Sequence, residues 1–300
     1  MKFLELVKEG RNSTGLYLGG IALIILLYIL GNIPMLLDVK YNFPGALFDP
    51  AQTDFIAAYG SLRLLIGVLI PFLLVFFGLV LYLMYAHKRG LQSIFTSAPR
   101  FRWKRFLGFS AFLLVFFGAY TFLDVVISGA TDQLTWNFKA ASFWPLLFVA
   151  ILMVPFQAAA EELIFRIYAL QGLYLRTNNP WISLTISSLM FAFMHISNPE
   201  VNALGPGILL YYFMAGVFMA LISIQDEGAE LAIAFHVFNN LFGVLVLTSG
   251  WHVFQTDALF IDERPPGNLT IQLLSGALTF AFLYFVLAKK LGWKPLKSLR

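Results

Sequence analysis

The sequence predicts an all-α protein, a polytopic membrane bundle of about eight transmembrane helices. Three observations carry this. Hydrophobic residues make up 59% of the 300 and charged residues 12%, with a mean hydropathy of +0.79, whereas soluble domains are roughly 45–50% apolar. Apolar runs long enough to span recur between short polar or Gly/Pro segments. Basic residues gather in only some of those connections. The chain has no cysteine, which removes disulfides, thiolate metal sites and cysteine nucleophiles together and leaves the redox compartment open. No internal repeat or low-complexity linker divides it, so residues 1–300 read as a single transmembrane domain. The net charge of +4 is modest, and no nucleic-acid motif competes with a lipid bilayer as its surroundings.

The first apolar run, Gly15–Leu37, follows Lys2, Lys8 and Arg11. It is long enough to span and no small-residue cleavage site follows, so a retained helix is expected rather than a signal peptide. Leu64–Ala86 and Phe106–Ser128 are the next two spans. Phe143–Leu170 is the fourth and contains Pro145 and Pro155, either able to bend it. Trp181–Ile196, Ile208–Ile224, Leu231–Leu247 and Ile271–Ala288 complete the set. Gly216 and Ala220 are spaced small-xxx-small, which predicts a close helix contact. The many phenylalanines are expected on lipid-facing and packing surfaces.

Orientation follows from the short loops. His87–Arg105 holds Lys88, Arg89, Arg100, Arg102, Lys104 and Arg105 without an acid, and the tail carries Lys289, Lys290, Lys294, Lys297 and Arg300. The segments Asp38–Asp54, Asp132–Lys139 and His252–Arg264 are poor in Lys and Arg. Both termini are therefore expected on the cytoplasmic side. The acidic stretch Asp226–Glu230 is an exception on that side, although acids carry little weight in the rule.

Charge inside the apolar runs is the chemically informative feature. Glu161 and Glu162 sit in the fourth run with Arg166 one turn later. A central ionisable residue costs roughly 2.5–3.5 kcal/mol even on lenient insertion scales, so such groups need partners or a function. At i,i+4, Glu162 and Arg166 can pair, whereas Glu161 points about 100° away and is expected to face a polar cavity as a general base. His236 and Asn240 are also i,i+4 and share a helical face, where two donors can converge on one oxyanion. His195 follows Phe191 by one turn, an aromatic neighbour able to restrict its rotamer. Each feature alone has a packing explanation: a helix-tying ion pair, a hydrogen-bonded histidine, interhelical polar glue. Three separate helices each carrying costly polar groups favour a functional site. Asp124 and Arg63 are expected to be interfacial or snorkelling, and His87 and His252 to be solvated in loops.

In order, Glu161-Glu162-Leu163-Ile164-Phe165-Arg166, Phe191-Ala192-Phe193-Met194-His195 and His236-Val237-Phe238-Asn239-Asn240 resemble the E-E-x-x-x-R, F-x-x-x-H and H-x-x-x-N motifs of one family. It is the CAAX protease and bacteriocin-processing (CPBP) family, also called the Abi or type II CAAX prenyl endopeptidase family of intramembrane proteases. The likeness covers roughly residues 143–247, the expected catalytic helices. Elsewhere the chain is matched only by being hydrophobic. The resemblance implies an eight-helix bundle with a membrane-embedded active site that cleaves peptide bonds in a membrane-associated peptide or lipidated protein. It implies that Glu161 and His195 activate water, that His236 and Asn240 stabilise the oxyanion, and that Glu162 and Arg166 support them. Eukaryotic and archaeal relatives are associated with CAAX processing, many bacterial ones with bacteriocin maturation or immunity. A prokaryotic cytoplasmic membrane is the expected location.

The chain lacks His-Glu-x-x-His, Gly-x-Ser-Gly and Gly-x-Gly-Asp motifs, so the mechanisms of other intramembrane proteases find no support. Two histidines and a glutamate could hold zinc with water in the fourth position. A zinc on Glu161 would leave only ion-paired Glu162 as a nearby base, so no cofactor is favoured. The naming of relatives as metalloproteases keeps zinc open. A proton- or ion-coupled transporter and a non-catalytic immunity or scaffold protein are the competing functions, since intramembrane Glu and His also build proton relays. One geometric tension stands against a shared site. Counted along simple spans at about 1.5 Å per residue, Glu161 lies near the cytoplasmic third and His195 closer to the outer face. To meet, the His195 helix must begin outside the hydrocarbon layer or tilt, or Asn198–Gly207 must be recessed beside a cavity.

Overall fold

The computed structural model describes residues 2–43 and 53–296. It is a helical membrane bundle in which α1 (Thr14–Asn42), α2 (Ser61–Tyr85), α3 (Trp103–Ser128), α4 (Ala140–Thr177), α5 (Pro180–Met194), α6 (Leu209–Gln225), α7 (Glu230–Leu245) and α8 (Leu269–Leu291) follow one another. Part of the expected loop Asp38–Asp54, and Lys297 and Arg300 of the tail, lie outside the described residues.

Among the described residues, six helices are long and apolar enough to cross a membrane; α5 and α7 are shorter. This modifies the expectation of about eight full spans. At 15 residues and 1.5 Å per residue, α5 extends about 22 Å, short of the roughly 30 Å hydrocarbon core. Local chemistry sets its ends. The Asn179 side chain accepts the N–H groups of Trp181 and Ile182, and Pro180 occupies the first turn, where its missing N–H costs nothing. The chain then leaves the helix at His195.

Packing centres on α7, which is flanked by α3, α4 and α6 and buries every side chain from Glu230 to Val237. α1 lies on α2, α2 on α4, α5 on α6, and α6 on α8. Gly216 makes the α5–α6 approach possible: a Cβ there would stand 3.1 Å from Ser188 Cα and Cβ. The outer surface is apolar, with Val115, Ile127, Phe148 and Leu278 all largely exposed, as lipid contact requires. Three strands too short to show alternation in the sequence, β1 (Leu134–Trp136), β2 (Leu247–Ser249) and β3 (Phe260–Asp262), form a small sheet in the order β1-β3-β2. Leu134 pairs with Asp262 antiparallel and Leu247 with Phe260 parallel, so the sheet ties connections at one end of the bundle.

The opposite end collects the basic segments, and there the acidic stretch 226–230 finds its explanation. Arg102 Nη2 meets Glu230 Oε2 at 2.6 Å and Asp226 Oδ2 at 2.9 Å, and Arg105 also pairs with Asp226. The Phe3 N–H donates to Glu227 Oε2 at 2.6 Å. His87 is fully buried there rather than solvated: its Nδ1 lies 2.8 Å from Arg11 O and its ring is enclosed by Tyr17, Tyr82 and Tyr168. Burial holds it below the usual imidazole range. His252 is likewise drawn in, edge-on to Trp251, and burial pushes it down to about 4. Arg63 pairs with Asp38, and Asp124 with Arg264 at 2.8 Å.

Asp226 yields a pH prediction. Burial raises its carboxyl to about 6 despite Arg102 and Arg105, which pull the other way. The folded chain thus keeps this proton to higher pH than the unfolded chain, so the group's stabilising contribution is complete below pH ~4 and lost as pH rises through ~6. Thermal melting in detergent between pH 4 and 7 is expected to show a slope that Asp226→Asn flattens. An unchanged slope in the variant would exclude Asp226 as its source.

Candidate active site

The site begins on α4. From Trp144 to Ala160 the only polar side chain is Gln157, followed one turn later by Glu161. Gln157 and Glu161 share a helical face, and Gln157 Nε2 donates to Glu161 Oε1. Directly after the glutamates the helix widens into a π-helical turn, Leu163–Ala169, a feature frequent at functional sites. Arg166 lies within it, fully buried, with Nε 3.0 Å from Glu162 Oε2. Its guanidinium stands over the Phe191 ring at 4.5 Å.

The second component is α7. His236 Nδ1 lies 2.8 Å from Glu162 Oε1, and its Nε2 lies 3.8 Å from Glu161 Oε2. The imidazole therefore sits between the two carboxylates. A carboxylate can only accept, so Nδ1 carries a proton towards Glu162. One turn on, Asn240 Nδ2 donates to Gln157 Oε1 at 2.9 Å. Glu161 Oε2 is buried without a hydrogen-bond partner.

The third component is the end of α5. His195 Nδ1 lies 2.7 Å from the Phe191 carbonyl, which sets the tautomer, with N–H at Nδ1 and a lone pair at Nε2. Phe191 thus restrains the ring by its carbonyl as well as by its own ring at 4.5 Å. Tyr212 of α6 stacks on the other side at 4.1 Å and 24°, and Asn198 donates to the Tyr212 hydroxyl at 3.2 Å. Spacing had singled out neither Gln157 nor Tyr212. A lone amide in an otherwise apolar run, four residues before Glu161, was the available signal for Gln157. Tyr212 has no local signal, because its contact with His195 is tertiary.

Glu161, His195, His236 and Asn240 line one cavity of about 1780 Å³, together with Gln157 and Tyr212; Glu162 and Arg166 lie behind its wall. The separation expected between Glu161 and His195 is not seen: α5 ends at His195, and both residues line the same cavity. Asn198, Pro199, Glu200, Asn202 and Leu204 also line the cavity, held by Asn198 on Tyr212 and by the Val253 N–H on Glu200 Oε1 at 2.8 Å. The segment faces the cavity on one side, while Ile196 and Ala203 remain exposed. Among the described residues no three His, Cys, Asp or Glu side chains converge closely enough for a metal ion. As placed, Glu161, His195 and His236 are not a three-ligand zinc set.

Comparison with known proteins places this geometry in context. The uncharacterized protein YyaK of Bacillus subtilis (strain 168) is 28% identical over 244 residues, covering 80% of each chain. No solved structure matches. Residues 141–242, the stretch containing all three motifs, match the type II CAAX prenyl endopeptidase Rce1-like family.

Proposed function

We propose that this chain is an intramembrane endopeptidase that hydrolyses a peptide bond in a membrane-associated or lipidated protein. The observation that carries the reading is the convergence of a carboxylate, two imidazoles and a carboxamide from three helices on one cavity within an apolar bundle. The match to a peptidase family supports it at the family level.

Glu161 and the Nε2 lone pair of His195 polarise a water molecule, whose oxygen adds to the scissile carbonyl carbon while its proton passes to the Glu161 carboxylate. The carbonyl oxygen becomes an oxyanion facing Asn240 Nδ2–H and His236 Nε2–H. With Nδ1–H on Glu162, His236 donates from Nε2 only as the imidazolium. Two carboxylates, one guanidinium and one imidazolium then leave the cluster neutral, which limits the penalty of holding it away from water. Collapse of the intermediate breaks the C–N bond, and the proton on Glu161 moves to the departing amine. The basic end of the bundle faces the cytoplasm in this reading, placing both termini inside.

Mass spectrometry tests the reading. The full chain, reconstituted in vesicles with a panel of membrane-anchored peptides in H₂¹⁸O, is expected to yield fragments with one ¹⁸O in the new carboxyl terminus. Solute flux in the same vesicles without any cleavage would favour a transporter and overturn it.

A further inference from the structure

We infer that Gln157 is a positioning residue that ties the orientation of the Asn240 carboxamide to the charge on Glu161. This deepens, and rests on, the peptidase reading above. Gln157 is buried and uses both ends of its amide: Nε2 donates to Glu161 Oε1, and Oε1 accepts from Asn240 Nδ2 at 2.9 Å. An ionised carboxylate has no proton to give, so Glu161 dictates that Gln157 turn its NH₂ group towards it. The Gln157 oxygen is thereby aimed at α7. Asn240 has to answer with a donor, and the second hydrogen of the same NH₂ group remains for the cavity. Asn239 Nδ2 on Asn240 Oδ1 at 3.2 Å reinforces the same orientation from the other side.

A flipped Asn240 would present a carbonyl oxygen to the developing oxyanion and repel it. Without Gln157 the contact from Asn239 is left to oppose a flipped amide, and the link from Glu161 to the Asn240 carboxamide is lost. The bridge also spans α4 and α7, fixing the separation between the group that takes the water proton and the group that binds the oxyanion. Short rigid links of this kind preserve the near-attack geometry on which rate depends.

Two measurements test the inference. Gln157→Leu is expected to lower kcat about 10- to 100-fold with KM within about twofold, because the lost interaction belongs to the transition state. In an Asn240→Ala background the same substitution is expected to change kcat less than about threefold, since the group it positions is gone. Full multiplicative losses would show that Gln157 does not act through Asn240. The second readout needs no turnover. In ¹⁵N-asparagine-labelled protein in detergent, Glu161→Gln is expected to shift the Asn240 side-chain NH₂ resonances, and to leave them unmoved when Gln157 is leucine. Equal shifts in both backgrounds would overturn the relay even if peptidase activity proves real, and Gln157→Met serves both experiments should the leucine chain fail to fold.

Discussion

Replacing Glu161 with glutamine is expected to lower peptide-bond hydrolysis by about 10²–10⁴-fold, the range that a positioned general base contributes. The substitution keeps shape and volume while removing the basic lone pair and the charge. Glu161 lines the cavity and its Oε2 makes no hydrogen bond, whereas Glu162 lies behind the wall, with Oε2 ion-paired to Arg166 and Oε1 against His236. A base needs such an uncommitted acceptor within reach of water. The effect should fall on kcat, because Glu161 takes the proton only as the transition state forms. Initial rates in vesicles across substrate concentration, normalised to folded protein, measure it. Undiminished turnover would remove Glu161 from the mechanism and shift the role of base to His195 Nε2.

Much of the bundle was legible because a hydrophobic solvent imposes a simple code. Runs such as Leu64–Ala86 and Phe106–Ser128 correspond to Ser61–Tyr85 and Trp103–Ser128 within a few residues, since apolar length alone decides them. The same code is less informative at α5 and α7, which are shorter than a full crossing: α7 buries Glu230–Val237 inside the bundle, whereas α5 keeps an exposed apolar face through Trp181, Leu189 and Phe193. His87 was misjudged for a related reason. A loop residue next to Lys88 and Arg89 reads as solvated, yet three tyrosines from α1, α2 and α4 close over it. At the candidate site, helical spacing sufficed to pair Glu162 with Arg166 and to put His236 and Asn240 on one face. Gln157 between Glu161 and Asn240, and Tyr212 against His195, depend on how α4, α5, α6 and α7 come together, which no local pattern encodes.

The largest loss of stability is expected from Arg166→Leu, at about 3–5 kcal/mol, the penalty for stranding a buried charge. Arg166 and Glu162 are both fully buried, 3.0 Å apart, and the guanidinium also fills the space over Phe191. Its removal leaves two carboxylates opposed by a single imidazolium, and His236 cannot lie equally close to both. Glu162 then has to take up a proton or draw His236 wholly to itself. Leucine preserves some packing volume, so the charge imbalance dominates the effect. The companion variant separates charge from packing: Glu162→Gln with Arg166→Leu removes both members and is expected to be less destabilised than Arg166→Leu alone, a non-additivity that adjacent sites show and distant ones do not. Thermal or denaturant unfolding of the detergent-solubilised chain reads both. Equal stability of the single variant and the native chain would mean that Glu162 is already neutral, and the charge balance assigned to His236 would have to be redrawn with one carboxylate fewer.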